Sequence, residues 1–328
     1  MDNFDLISIG DASLDVFIAP TEHEELCTLD REKCLVCFNY ADKIPVRDLT
    51  FSMGGNAANN AVGSARLGVK VALLATLGDD KTAGQIMDNA RTEGVDTTFV
   101  TKQAGVMSNY STAIMYNGER TIFVYHAPYN YQFPTLLPAA PWAYLTSMGE
   151  GFAPFYQGLI DWARAHDTKI VFNPGSFQMK AGIDALRNLF PLIEILFVNK
   201  EEAARLMGDH NSVSEKQLLA GMVQLGAKKA VITDGANGAF SFDGQKYCRS
   251  QVLPVDAYER TGAGDAFASG TLAALIQGKS MDEALLWGTV NSASVIGHVG
   301  PQRGLLKKEQ LSEWLERAQS SGVKVEEF

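Results

Sequence analysis

Four residues, Gly262-Ala263-Gly264-Asp265, open a run of small residues (Ala266, Ala268, Ser269, Gly270, Ala273, Ala274) that reads as a helix. A glycine turn at a helix start offers unpaired backbone N–H groups and the positive end of the helix dipole to an anion. A carboxylate repels phosphate, so Asp265 beside such a site needs a chemical reason. Removing a proton from a hydroxyl that attacks the phosphate supplies one. That combination describes a kinase. The same letters also spell a plain helix cap, with Gly in the turn and Asp favoured by the dipole, so other residues have to decide.

Gly54-Gly55-Asn56-Ala57-Ala58-Asn59, followed by Arg66-Leu67-Gly68, places glycines and amides at another helix start. Glycine lets backbone approach a small molecule and Asn offers both donor and acceptor to hydroxyls, which suits a polyol; the other reading is a helix capped by Asn56. Asp11, Ser13 and Asp15 follow the first strand-like run and share one side of an extended chain, either as acceptors for sugar hydroxyls or as Asx turns. Asn199 and Glu202, three apart at a strand-to-helix junction, spell an oxygen site for Mg²⁺ and equally a capping box. Thr233, Gly235 and Gly238 turn the chain after a strand and could wrap a nucleotide. The P-loop and protein-kinase signatures are absent.

Positioning these groups requires a sheet. Continuous apolar runs at Leu6–Ile9, Val71–Thr76, Ala143–Thr146, Ile170–Asn173, Ile195–Asn199 and Ala230–Thr233 lack alternation, which marks strands covered on both faces. Helix-like stretches alternate with them at about 57–67, 81–93, 153–166, 200–207, 214–225, 263–277, 281–297 and 308–319. Several end in glycine, as at Gly68, Gly94, Gly208, Gly226 and Gly278. The expectation is a single α/β domain, a mainly parallel sheet between helices. Residues 16–19 with 34–52, and 109–126, break the rhythm with alternating strands and an Asn117-Gly118 turn, predicting a small antiparallel sheet that acts as a lid or as an ordinary edge hairpin.

Composition narrows the partners. The chain has 328 residues, 46% hydrophobic and 20% charged, with net charge -10, which argues against a nucleic-acid or membrane-surface partner. With no long apolar run, signal segment or disulfide-like cysteine count, the expectation is a soluble cytoplasmic protein. His23, Cys27, Cys34 and Cys37 could supply zinc ligands, but alternation along a buried strand would send Cys34 and Cys37 to opposite faces, so free buried thiols are expected.

In this order the motifs resemble the ribokinase (PfkB) family of carbohydrate and nucleoside kinases. Gly54-Gly55 through Asn59 and Ala61, with Arg66-Leu67-Gly68 and Gly78-Asp79-Asp80, looks like its first signature; Gly262 to Phe267 looks like its second; Asn199 with Glu202 and Thr233 with Gly235 resemble its magnesium and nucleotide segments. The resemblance spans essentially the whole chain. It implies a three-layer α/β/α domain with a β-lid and transfer of the ATP γ-phosphoryl group to a hydroxyl. Asp265 would be the general base and Gly262, Ala263 and Gly264 the anion hole. Asp15, Gly55 and Asn59, with Gly54, Asp11 and Ser13 nearby, would hold the acceptor. Glu150 would be a further contact, and Asn291 and Ser294 would line the adenine pocket. Arg120, His126, Tyr129 and Tyr131, on or beside the lid, could touch the acceptor or be ordinary strand residues; Arg120 would suit an acid or a phosphate already on the sugar.

One departure stands out. The second signature usually begins Asp-Thr-Thr, whereas this chain has Glu259-Arg260-Thr261. The family's Asp commonly helps form a monovalent-cation site, completed by a loop like Gly300 to Gly304, so Glu259 makes K⁺ activation doubtful. The leading expectation is a sugar kinase using ATP and Mg²⁺. The alternatives are a nucleoside kinase of the same family and a non-catalytic sugar-binding regulator. As in some relatives, the lid could join two copies.

Overall fold

The structure is a computed structural model that describes residues 3–21, 27–30, 35–116, 119–208 and 213–328. The first half contains β1 (Leu6–Ile9), β2 (Ser13–Pro20), β3 (Cys27–Asp30), β4 (Leu35–Phe38), β5 (Val46–Gly54), α1 (Asn56–Arg66), β6 (Val71–Leu74), β7 (Thr76–Gly78), α2 (Lys81–Thr92), β8 (Thr101–Gln103), β9 (Tyr110–Tyr116), β10 (Glu119–Tyr125), β11 (Trp142–Leu145) and α3 (Ala153–His166). Then come β12 (Lys169–Phe172), α4 (Ser176–Leu186), β13 (Ile193–Asn199), α5 (Lys200–Leu206), α6 (Glu215–Gln224), β14 (Lys229–Thr233), β15 (Ala239–Phe242), β16 (Tyr247–Ser250), α7 (Ala263–Ile276), α8 (Met281–Val295), α9 (Lys308–Ser320) and β17 (Val325–Glu327).

The main sheet runs in the order β17-β16-β15-β14-β13-β12-β11-β1-β6. Strands β6 to β14 in that order are parallel, whereas β15, β16 and β17 add an antiparallel edge. Neighbouring residues of a strand face opposite layers: Leu6, Val171, Ile195 and Val231 pack with α1, α2, α7, α8 and α9, while Ile7, Ile170, Leu196 and Ile232 pack with α3, α4, α5 and α6. Burial on both faces explains the unbroken apolar runs and gives the expected three-layer α/β/α arrangement. The strand order reverses at β1, between β6 and β11, and ligands of open α/β sheets bind outside the carboxyl ends at such a switch.

A second sheet, β10-β9-β2-β5, stands over those carboxyl ends. It reaches further than expected, to Ser13 and Gly54, where Ser13 pairs with Gly54 and Asp15 with Ser52. The expected turn at Asn117-Gly118 lies outside the described residues, but its flanking strands pair antiparallel from Glu119–Tyr116 to Tyr125–Tyr110. Asp80 fixes the hairpin's approach. It caps α2 through the Ala83 amide and accepts from both the amide and hydroxyl of Ser108, bonds that hold its carboxyl below the usual range.

Three expectations are corrected. Strand β4 does not join the lid sheet: it pairs with β3, and Cys37 is an exposed thiol rather than a buried one. His23 and Cys34 lie outside the described residues, among which no group of three or more His, Cys, Asp or Glu could hold a metal ion. The helix at Ser176–Leu186 is absent from the expected series because Gly182, with φ 78°, breaks its pattern. The antiparallel edge also went unread, its strands being only three or four residues long. No helix among the described residues is long and apolar enough to cross a membrane.

Candidate active site

Two cavities lie at the carboxyl ends of the parallel strands. The first, about 530 Å³, is lined by Asp11, Ser13, Asp15, Gly55 and Asn59 from the switch point, by Arg120 and His126 from the hairpin, and by Asn199, Glu202, Gly262, Gly264 and Asp265 from the later strands and α7. The second, about 440 Å³ and more apolar, is lined by Thr233, Gly235, Gly238, Arg260, Ala263, Gly264, Phe267 and one face of α8. Thr233 and Gly264 line both.

Asp265 sits in the first turn of α7, whose N-cap is Gly262 at φ 79°. A Cβ there would come within 2.4 Å of Pro301 Cβ, so conformation and space both demand glycine. Asp265 does not cap the helix. Its Oδ2 accepts from Asn59 Nδ2 at 2.8 Å, a buried bond between residues 206 positions apart. Asn59 is in turn aimed by Gln302, whose Nε2 donates to Asn59 Oδ1 at 3.0 Å. Arg66 holds the Gln302 loop through the carbonyls of Gln302 and Leu305, at 2.7 and 2.9 Å, and forms an ion pair with Glu93. Arg66 is therefore a support for the carboxylate, three hydrogen bonds away from it. Burial raises the Asp265 carboxyl to about 7; the Asn59 bond lowers it, and the charges of Asp15 and Glu202 raise it. A carboxyl poised near neutrality can take a proton from a hydroxyl.

Asp11 and Asp15 face the same cavity. Oδ1 of Asp15 accepts from Ser13 Oγ at 2.9 Å and Ser111 Oγ at 2.7 Å, and burial raises its carboxyl against those bonds. Burial also raises Asp11, to about 7, although Ser147, Asn109 and Tyr131 bond to it. Asp11 Oδ2 meets no hydrogen-bond partner, with His126 Nδ1 3.9 Å away. Asp11 lines the cavity, and a carboxylate there can accept from a ligand hydroxyl. Gly55, at φ 87°, precedes α1 and lets its backbone pass Ala12, whose Cα a Cβ would approach to 2.4 Å. Gly55 is the N-cap of α1 and Asn56 makes no cap, so Asn56 lines the cavity instead. Tyr129 and Tyr131 are buried, stacked edge to face, and hold the Asn109 and Gly149 amides; they shape the site from behind.

Asn199 and Glu202 do form the capping box: Asn199 Oδ1 accepts from the Glu202 amide at 2.8 Å and Glu202 Oε2 from the Asn199 amide at 2.9 Å. Both still line the first cavity. Burial raises the Glu202 carboxyl, against the Asn199 amide and the charge of Arg205; a single carboxylate suits a Mg²⁺ that keeps most of its waters and is carried mainly by a nucleotide's phosphates. Glu259 spends one oxygen on the protein, while its Oε2 is buried without a hydrogen-bond partner. Its Oε1 already accepts from the Thr261 amide at 2.6 Å and the Thr261 hydroxyl, and pairs with Arg120 Nη1 at 3.2 Å.

Two expected placements are corrected. Asn291 is fully buried and structural: its Nδ2 donates to the Ala266 carbonyl at 2.8 Å and its Oδ1 accepts from the Leu306 amide at 2.9 Å. Ser294 is buried and lines neither cavity. The helix period puts Thr289, Ser292, Ala293 and Ile296 on the cavity face of α8 instead. Glu150 is exposed and lies outside the cavity lining, which takes Ser147 and Met148 from that segment. Residues absent from the expected set include Asn109, Ser111 and Gln302, whose roles depend on partners far along the chain, and Arg260, whose oddity within Glu259-Arg260-Thr261 was its one sequence signal.

The description pfkB family carbohydrate kinase matches residues 23–308. A ribokinase of Haemophilus influenzae is 28% identical over 274 residues, covering 81% of this chain and 88% of that protein. An aminoimidazole riboside kinase of Salmonella typhimurium is 28% identical over 258 residues, covering 74% and 80%. Among solved structures, the nucleoside kinase of Methanocaldococcus jannaschii superposes with TM-score 0.79 at 18% identity, covering 97% of this chain and 100% of that one, a likeness of fold. The chain belongs to the pfkB family of carbohydrate kinases, phosphotransferases with an alcohol group as acceptor.

Proposed function

We propose that this protein transfers the ATP γ-phosphoryl group to a hydroxyl of a small sugar or sugar derivative, with Asp265 as the general base. The carrying observation is a buried carboxylate, raised to about 7 and held by Asn59, at the helix start where the two cavities meet. In this reading Asp11, Asp15 and Asn59 bind the acceptor's hydroxyls. The nucleotide occupies the second cavity, its base against the α8 face and its phosphates towards Gly264 and Arg260. Arg260 is exposed beside that cavity, a suitable phosphate partner. Glu202 holds Mg²⁺ through water, and Mg²⁺ when bound neutralises charge developing on the phosphates. As the acceptor oxygen attacks in line, Asp265 takes its proton and the amides at the start of α7 face the transferred group's charge.

The whole chain works in this reading as one kinase domain in the cytoplasm, with the four-stranded sheet as its water-excluding lid. The outer face of that sheet exposes Leu49, Phe51, Phe123 and Tyr125, more apolar surface than solvent favours on one small sheet, and closes against a second copy. A nucleoside remains the second reading for the acceptor, supported by His126 standing edge-on to Phe177, with ring centroids 5.3 Å apart, at the cavity wall.

The test is ADP release with Mg·ATP across sugars, sugar acids, sugar phosphates and nucleosides. Release stimulated by one acceptor class supports a kinase and names its substrate. No stimulation across the panel, with sugar binding retained in calorimetry, supports a non-catalytic regulator.

A further inference from the structure

The polar contact between the hairpin and the loop before α7 is Arg120 with Glu259. Arg120 lies on β10 and lines the acceptor cavity; its side chain is 29% exposed and that of Glu259 3%. Glu259 belongs to the turn that ends in Gly262. Its amide donates to the Ile296 carbonyl, as does that of Tyr258, which ties the turn to the end of α8. The same Glu259 oxygen that meets Arg120 also accepts from the amide and hydroxyl of Thr261, directly before the N-cap of α7. Nearby, Phe17 and Met115 of the lid and Tyr258 and Val299 of the body line a separate cavity of about 270 Å³. Lid and body are therefore not packed solid at this corner, and the ion pair spans a seam. Oε2 of Glu259 is buried without a hydrogen-bond partner, and among the described residues Arg120, at Oε1, is the cation paired with this carboxylate. A buried carboxylate needs such a charge.

We infer that Arg120 is a tethered cation for Glu259, which takes the place of a soluble monovalent ion and couples the lid to the geometry of the anion-binding turn. Arg120 is thus a positioning residue, acting through Glu259 and Thr261. The inference rests on the proposed kinase activity only in its kinetic test.

Two measurements decide it. Hydrogen exchange, without any substrate, compares wild type with Arg120→Ala and Glu259→Gln. Faster exchange across 261–264 and 110–116 in both variants is expected, and unchanged exchange at 261–264 overturns the coupling, whatever the protein phosphorylates. Turnover is then measured in K⁺, Na⁺ and tetramethylammonium. Wild type should show equal kcat in the three salts. Arg120→Ala should lose about 10- to 100-fold in kcat, recover part of it in K⁺ or guanidinium, and be rescued better by Arg120→Lys. Several-fold activation of wild type by K⁺ over Na⁺ contradicts the tether. So does an Arg120→Ala variant with full kcat, or one whose loss answers to neither cation.

Discussion

The two cavities share Thr233 and Gly264 yet are built in opposite ways. The first cavity, the acceptor's in the proposed reading, is held by bonds between distant segments: Asn59 to Asp265, Asn109 to Asp11, Ser111 to Asp15 and Arg120 to Glu259. Burial raises its carboxylates, and neighbouring charges raise Asp15 and Asp265 further. The second cavity, the nucleotide's in that reading, is made of the turn from Thr233 to Gly238, the residues before α7 and one face of α8. That contrast suits a division of labour. Chemistry needs preorganised groups, whose orientation costs nothing at the moment of reaction. Holding a flexible nucleotide needs surface and a few donors.

The comparison makes ordered predictions. Asn59→Leu removes a buried hydrogen bond to a charged group, so kcat falls about 10- to 100-fold. Because that bond lowers the Asp265 carboxyl, the acidic limb of the pH profile also moves up. A change in ATP KM alone would erase the division between the cavities. In the proposed reading Asp265 works as the carboxylate and Asp11 as a hydroxyl acceptor, and burial pushes both carboxyls up to about 7. Thus kcat/KM for the acceptor is full at high pH and falls as pH drops through about 7, by about tenfold per unit if only Asp265 matters and towards about a hundredfold if Asp11 must be ionised too. A flat profile from pH 5.5 to 8.5 would remove the base from the account. Smallest is Arg260→Ala, which loses one exposed phosphate contact of the proposed reading; ATP KM should rise by about two- to fivefold, with kcat kept. A loss of kcat without a KM change would put Arg260 on the chemical side of the boundary.

The same contrast explains what the sequence revealed. Strands buried on both faces carry unbroken apolar runs, and helices ending in glycine carry their own stops, so the central sheet and the helices around it were legible. Glycine motifs marked where backbone meets ligand. What sequence could not carry was the partner across space. Asn59 read as a sugar contact, and only the fold brings it to Asp265. Asn291 read as an adenine contact, yet its amide is spent on the Ala266 and Leu306 backbone. Arg120 read as a substrate contact; it lines the first cavity, and only the fold adds its pairing with Glu259. Short edge strands and a helix broken by Gly182 have too little pattern to announce themselves.

The central claim, that Asp265 is the base, is tested most directly by rapid-quench single turnover of Asp265→Asn at saturating Mg·ATP and acceptor, with binding of both measured by calorimetry. The account predicts near-normal binding and transfer slowed by about 10³-fold, within the 10²- to 10⁴-fold range of a positioned base. Transfer at close to the wild-type rate, with both ligands bound, would contradict it.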